Sequence, residues 1–253
     1  MRTKFTIVAL VIACSLVAIT TFVIACLWLG WLGFTMFIAA KLLVLAVYVR
    51  FIRPWHSTWG ATDDEAHRRM PGDDIIPKAA MTTRAISIAC RPEQLWPWLV
   101  QIGYGRAGWY SYDWIDNDGK ASANRVLPEF QVLRAGDRIE MLPGYGPEVV
   151  DLEVNRYFVA GDIEGGTWCL AIYPHCDGSR LVSRWRQAWK TAGFASKFFV
   201  LFADSGAFIM EQKMLRGIRK RAEFIRSSVG TTSERSESFG HSYDEARPGS
   251  LAG

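Results

Sequence analysis

The first 53 residues contain no Asp or Glu, and residues 5–40 carry no charge at all. Beyond Pro54 the sequence has the mixed polar and apolar pattern of a water-soluble domain. A spanning helix needs about 20 apolar residues to cross about 30 Å of hydrocarbon. The run from Phe5 to Val49, interrupted only by Lys41, is long enough for two. Arg2 and Lys4 flank its start and Arg50 and Arg53 its end, and the positive-inside rule puts both flanks on the cytoplasmic side. Residues 1–53 are therefore expected to form a transmembrane helical hairpin, with helices near 5–26 and 34–52. The turn falls over residues 27–33, where Gly30 and Gly33 permit tight geometry and Trp28 and Trp31 suit the aromatic belt. The expected product is an integral protein of the plasma membrane whose domain faces the cytoplasm.

Lys41 sits near the middle of the second helix, where a charge costs about 2.5 to 3.5 kcal/mol. It is expected to snorkel or to pack against hydroxyls such as those of Thr20 and Thr21. A cleaved signal peptide has an apolar core of about 7 to 15 residues, far shorter than this run. Val23-Ile24-Ala25-Cys26 resembles a lipoprotein cleavage box, but the chain stays apolar for another 14 positions after Cys26, which disfavours lipidation there.

With the five basic residues of the anchor set aside, 24 Lys and Arg face 25 Asp and Glu. The basicity belongs to the anchor, and the domain lacks the cationic footprint that nucleic-acid binding needs. The cluster Lys213, Arg216, Arg219, Lys220 and Arg221 suits a solvated helix C-terminus. Cys14, Cys26, Cys90, Cys169 and Cys176 show no metal or disulfide spacing, and the four histidines are dispersed. No metal and no cofactor is expected.

Trp55 to Ala80, rich in Pro, Gly and charge, reads as a juxtamembrane linker over 54–80. A folded domain is expected over 81–226 and a disordered tail over 227–253. Thr82 to Ala89 alternates as a strand, with Ile86 and Ile88 on one face. Pro92 opens a helix to about Ile102, bent at Pro97, and Tyr110 to Asn117 reads as a short second helix. Five strands are expected at residues 137–142, 148–154, 157–163, 167–173 and 180–189, separated by turn signals. A helix over 205–226, N-capped by Asp204, carries Ala207, Met210, Met214, Ile218, Ala222 and Ile225 as its core stripe.

Gly103-Tyr104-Gly105-Arg106-Ala107-Gly108 matches the dinucleotide pattern G-x-G-x-x-G. That fingerprint requires a strand before it and a helix after it, whereas here a helix precedes and an aromatic run follows, so the match is set aside.

The element order, with the phrases Trp59-Gly60-Ala61-Thr62-Asp63-Asp64-Glu65, Trp96-Pro97-Trp98-Leu99-Val100-Gln101, Tyr110-Ser111-Tyr112-Asp113-Trp114, Gly136-Asp137-Arg138 and Phe208-Ile209-Met210-Glu211, resembles a bacterial membrane-associated branch of the SRPBCC superfamily of START, Bet v 1 and polyketide-cyclase proteins. The resemblance spans about Trp55 to Arg226. It implies an α+β helix-grip fold, a curved antiparallel sheet of about six strands around a long C-terminal helix, with an apolar cavity between them. It carries over no catalytic residues.

By the two-residue period, Trp168, Leu170 and Ile172 share one face of their strand, and Leu181, Ser183, Trp185, Gln187 and Trp189 share one face of the next. Met210 and Met214 add thioethers from the helix. The expected ligand contacts are Trp98, Tyr112, Trp114, Trp168, Leu170, Ser183, Trp185, Gln187, Met210 and Met214, against the alternative that such stripes are plain core. Arg184 and Arg186 fall on the opposite face and are expected in solvent. The expected function is a membrane-tethered binding module for a hydrophobic small molecule or lipid. A cyclase, aromatase or dehydratase would rest on Tyr110, Tyr112 and Asp113, the concentrated acid–base candidates, and a third reading is a structural module packed shut. The aromatic run over residues 194–202 is expected at the cavity mouth or in the bilayer interface.

Overall fold

The computed structural model describes residues 2–176, 178–187 and 204–224. The expectations for Trp189, Ile225, residues 194–202 and the tail over 227–253 lie outside the described residues. Helix α1 (Arg2–Val47) is broken at Gly30, whose backbone is non-helical (φ 52°, ψ −134°). Phe22, before the break, lies against Phe34 and Phe37 beyond it, with ring centres 5.9 and 5.2 Å apart. The Lys41 ammonium stands 5.2 Å from the centre of the Phe37 ring, while the Thr21 hydroxyl donates back to its own helix at Val17 O and Ala18 O. One stretch, Gly30–Ser57, is long and apolar enough to cross a membrane. At the break, Trp28 and Trp31 are 85% and 84% exposed.

The helix does not end at the expected boundary. It runs through a π-helical turn (Tyr48–Ile52) into α2 (Arg53–Ser57). The Tyr48 hydroxyl bridges His56 Nε2 at 3.1 Å and Ser205 Oγ at 2.8 Å. The His56 ring stacks on Phe208 at 5.3 Å, and Trp55 meets the same ring edge-on.

The segment 54–80 is not a free linker, which corrects the composition-based reading. Helix α3 (Asp63–His67) is nucleated by a capping box, with Thr62 Oγ1 accepting from the Glu65 amide and Glu65 accepting from the Thr62 amide. Ala66, Met70 and Ile76 are buried. The segment covers one face of the sheet, where Met70 joins Ala85, Val159, Cys169, Ala171 and Val182 in a core of their own.

Five antiparallel strands form that sheet: β1 (Ala80–Ile88), β2 (Val149–Glu153), β3 (Tyr157–Asp162), β4 (Gly166–His175) and β5 (Gly178–Gln187), in the order β1-β5-β4-β3-β2. The expected strand at 137–142 is not one. Pro143, Gly144 and Pro147 interrupt the ladder, leaving only the isolated bridges Arg138–Glu148 and Leu142–Tyr145. Because side chains alternate along a strand, Ile86, Ile88, Phe158, Trp168, Leu170, Ile172 and Leu181 face the other way, into the main core. That core is closed by α4 (Pro92–Val100) through Leu95, Trp98 and Leu99, and by α6 (residues 204–224) through Met214, Leu215, Ile218 and Ala222. Short helix α5 (Asp113–Asp116) lies beside it.

Arg184 and Arg186 do point to the opposite face, but they are not solvated. Arg184 is 1% exposed. It donates to Thr83 Oγ1, Arg68 O, Asp73 Oδ2, Glu65 O and Ala66 O at 2.7–3.2 Å. It clamps the 62–73 segment onto the sheet.

Candidate functional site

Between the sheet and α6 lies a cavity of about 480 Å3, within the range of small-molecule pockets. Three tryptophans form its apolar side. Trp168 on β4 and Trp185 on β5 are register partners and stack at 5.1 Å, and Trp109 meets Trp168 at 5.8 Å. Met141, Met210 and Met214 extend this surface, and thioethers adapt to irregular shapes.

The opposite side is charged. Arg84 from β1, Glu211 and Asp204 from α6, and Arg53 from α2 all border the cavity. Arg84 is buried and its three nitrogens are committed: Nε to His56 O at 2.8 Å, one terminal nitrogen to Glu211, the other to Asp204 Oδ1 at 3.2 Å. Arg53 Nε stands 3.9 Å from Asp204 Oδ2. Burial holds the His56 imidazole below its ordinary pKa, with Arg84 and Arg53 acting in the same sense and the Asp204 charge opposing.

Asp116, the last residue of α5, also borders the cavity. It is 9% exposed, and among the described residues neither carboxylate oxygen has a partner at good hydrogen-bond geometry, although the Tyr112 and Asp116 amides and the Ser111 hydroxyl lie close enough to favour its ionised form. The neighbouring Ser111 hydroxyl is spent on Met210 O at 2.9 Å. Burial, with the charge of Asp113 three residues earlier, raises the Asp116 pKa above the usual carboxylate value.

Half of the expected ligand contacts border the cavity: Trp168, Trp185, Gln187, Met210 and Met214. Trp98 and Leu170 are fully buried in the core instead. Ser183 has its partner inside the sheet, accepting from Trp168 Nε1 at 2.9 Å, so its burial needs no ligand. Trp114 is exposed, with Tyr112 edge-on to it, and the Tyr112 ring carries the Lys213 ammonium 3.7 Å from its centre. Neither is on the cavity wall.

The acid–base candidates are occupied with structure. Tyr110 is buried at φ 55°, its hydroxyl accepts from Gln101 Nε2 at 2.7 Å and donates to Trp98 O at 3.2 Å, and burial raises its pKa. Asp113 accepts from the amide and hydroxyl of Ser122. The G-x-G-x-x-G segment is a closed loop, with Gly103 and Gly108 exchanging backbone hydrogen bonds at 3.1–3.2 Å. The sequence reading missed Arg84, Asp116, Asp204 and Glu211. A signal for Asp116 existed in its i,i+3 spacing from Asp113, which puts two like charges on one helix face.

No family model and no curated protein matches the chain. Among similar solved structures is the KanY protein, 15% identical, covering 58% of this chain and 97% of its own at a TM-score of 0.35. Another is the polyketide-cyclase-like protein Cgl2372 of Corynebacterium glutamicum, 20% identical over 63% of this chain and 97% of its own at a TM-score of 0.29. A third is DynU16, a protein of the dynemicin biosynthetic locus, 11% identical over 54% of this chain and 46% of its own at a TM-score of 0.33. Likeness at this level speaks neither to ligand nor to reaction. In element order, in its five-stranded antiparallel sheet and in the helices closing the sheet's core face, the chain has the α+β arrangement that the resemblance implied.

Proposed function

We propose that the chain is a membrane-tethered binding module for a hydrophobic small molecule. The observation that carries this reading is the cavity of about 480 Å3 itself, with three tryptophans and four methionines in its lining. A domain packed shut would have no such space, since protein interiors are otherwise filled. Arg53, at the end of the apolar stretch Gly30–Ser57, borders the cavity, so the cavity stands at the bilayer surface, where an apolar ligand could enter from lipid.

The tether is a two-helix hairpin in this reading. A straight helix would separate residues 22 and 37 by about 22 Å, whereas their rings are 5.2 Å apart. The domain then spans residues 54–226, faces the cytoplasm, and includes the segment first assigned as a linker. Reporter fusions at Gly30 and Gly253 then report opposite sides of the membrane, and equal sidedness refutes the hairpin.

The binding reading is tested on the full chain purified in a mild non-ionic detergent. Extraction into organic solvent followed by mass spectrometry should recover a compound absent from the detergent blank, in lower yield from Met210→Trp, which fills the cavity. A chain that yields nothing and binds no fluorescent fatty-acid probe overturns it.

A further inference from the structure

The polar groups of the cavity are unevenly satisfied. Its buried cation Arg84 has every nitrogen engaged by Glu211, Asp204 or the His56 carbonyl. Its carboxylates are not: Asp116 Oδ1, Asp116 Oδ2, Asp204 Oδ2 and Glu211 Oε1 have no hydrogen-bond partner among the described residues. The formal charge of the lining is −1, with Arg53 and Arg84 against Asp116, Asp204 and Glu211. Orphaned buried acceptors are costly and rare in folded proteins, and four in one cavity call for a ligand that donates.

We infer that the cavity takes a primary alkylamine in its protonated form, with the ammonium against Asp116 and Glu211 and the alkyl chain along Trp109, Trp168 and Trp185. An ammonium has three N–H donors and no acceptor, which suits a lining whose unpartnered carboxylate oxygens can only accept. Cations are also attracted to tryptophan faces. A neutral alcohol offers one donor, and a fatty carboxylate would add a fourth anion to the three already present. This inference rests on the binding reading above and names the ligand class of that same cavity.

The groups facing the head-group site are Asp113 on the same helix as Asp116, Glu211 and Asp204 on α6, Arg84 on β1 and Arg53 on α2. Asp116 must be ionised to hold the ammonium. Its pKa in the empty cavity is raised, so amine affinity falls as pH drops through that value, and cation binding releases a proton.

The test is isothermal titration of octylamine, 1-octanol and octanoate into the full chain in phosphatidylcholine nanodiscs, with empty nanodiscs subtracted. Octylamine should bind at least about tenfold more tightly than 1-octanol, and Asp116→Asn should remove that preference. The substitution keeps the shape and removes an unpaired buried charge, so the variant should unfold no earlier than the parent. Repeating the titration in nanodiscs containing phosphatidylethanolamine separates the two sources of a primary ammonium. Competition by that lipid assigns the site to a membrane head group, and its absence assigns the site to a free single-chain amine. Equal or tighter binding of 1-octanol or octanoate, or full amine affinity in Asp116→Asn, overturns the inference while leaving the binding reading intact. Failure of all three probes overturns the binding reading as well.

Discussion

Arg184→Ala removes one side chain that holds five partners. Three are main-chain carbonyls of the 65–68 stretch, one is the Thr83 hydroxyl and one the Asp73 carboxylate. Summing about 1.5 to 3 kcal/mol for each charge-assisted bond would overshoot, because the five are made by one group and are not independent. Breaking a buried ion pair by removing one partner costs about 3 to 5 kcal/mol. Asp73 keeps Arg186, but only at 3.4 Å, so a loss near about 4 kcal/mol is expected. Arg184→Lys keeps the charge without the five-donor fork and should lose about half as much. The loss should be local first, because four of the five partners lie in the segment that covers the outer face of the sheet. The amides of Ala66 and Arg68, bonded to Thr62 O and Asp64 O, and that of Met70, bonded to Asp73, are the reporters. At 1.4 kcal/mol per decade, about 4 kcal/mol corresponds to roughly a thousandfold faster hydrogen exchange at these amides. Mass-spectrometric exchange on the full chain in nanodiscs reads this directly. A cost below about 1 kcal/mol, with unchanged exchange over residues 62–76, would refute the clamp.

Glu211→Gln leaves Arg84 buried with only Asp204 as its anionic partner and should cost about 3 kcal/mol, whereas Arg84→Met with Glu211→Met should cost far less, as denaturant melts would show. Gly217→Ala would place a methyl group 2.3 Å from Tyr110 O, a main-chain atom that cannot turn aside. A loss of about 1 to 3 kcal/mol is expected in the same melts. His56 is held neutral by burial, so its contribution is complete above the ordinary histidine pKa and is lost as pH falls below it. The melting temperature should drop between pH 7.5 and 5.5 in the parent and less so in His56→Gln, and parallel curves would count against this.

Much of the sheet was legible because alternation fixes which residues share a face. Ile86 with Ile88, and Trp168 with Leu170 and Ile172, fall together as their period requires. What alternation does not encode is what covers each face. Arg184 was assigned the correct side and the wrong environment for that reason, since its cover comes from a segment whose Pro, Gly and Asp content resembles a linker. Thr62-x-x-Glu65 was the readable sign that this segment begins a helix. The cavity was legible on its apolar side, where strand faces and the methionine spacing of α6 predict the wall. Its charged side was not, because Arg84, Asp116 and the Asp204–Glu211 pair come from three elements, β1, α5 and α6, and nothing in their spacing brings these together before the chain folds.

The passage from the apolar helix to the domain through Tyr48–Ile52 leaves no hinge at which the two could be separated. Tyr48 reaches Ser205 at 2.8 Å, and Arg53 stands beside Asp204 at 3.9 Å. A fragment beginning at Pro54 would lack both contacts and the Arg53 side chain that borders its cavity. Grafting the domain onto a foreign membrane segment would leave His56, Asp204 and Ser205 facing a gap. Dissection of this protein therefore has to cut inside α1, upstream of Tyr48, and carry exposed apolar residues such as Leu43, Val44 and Val47 along with the domain.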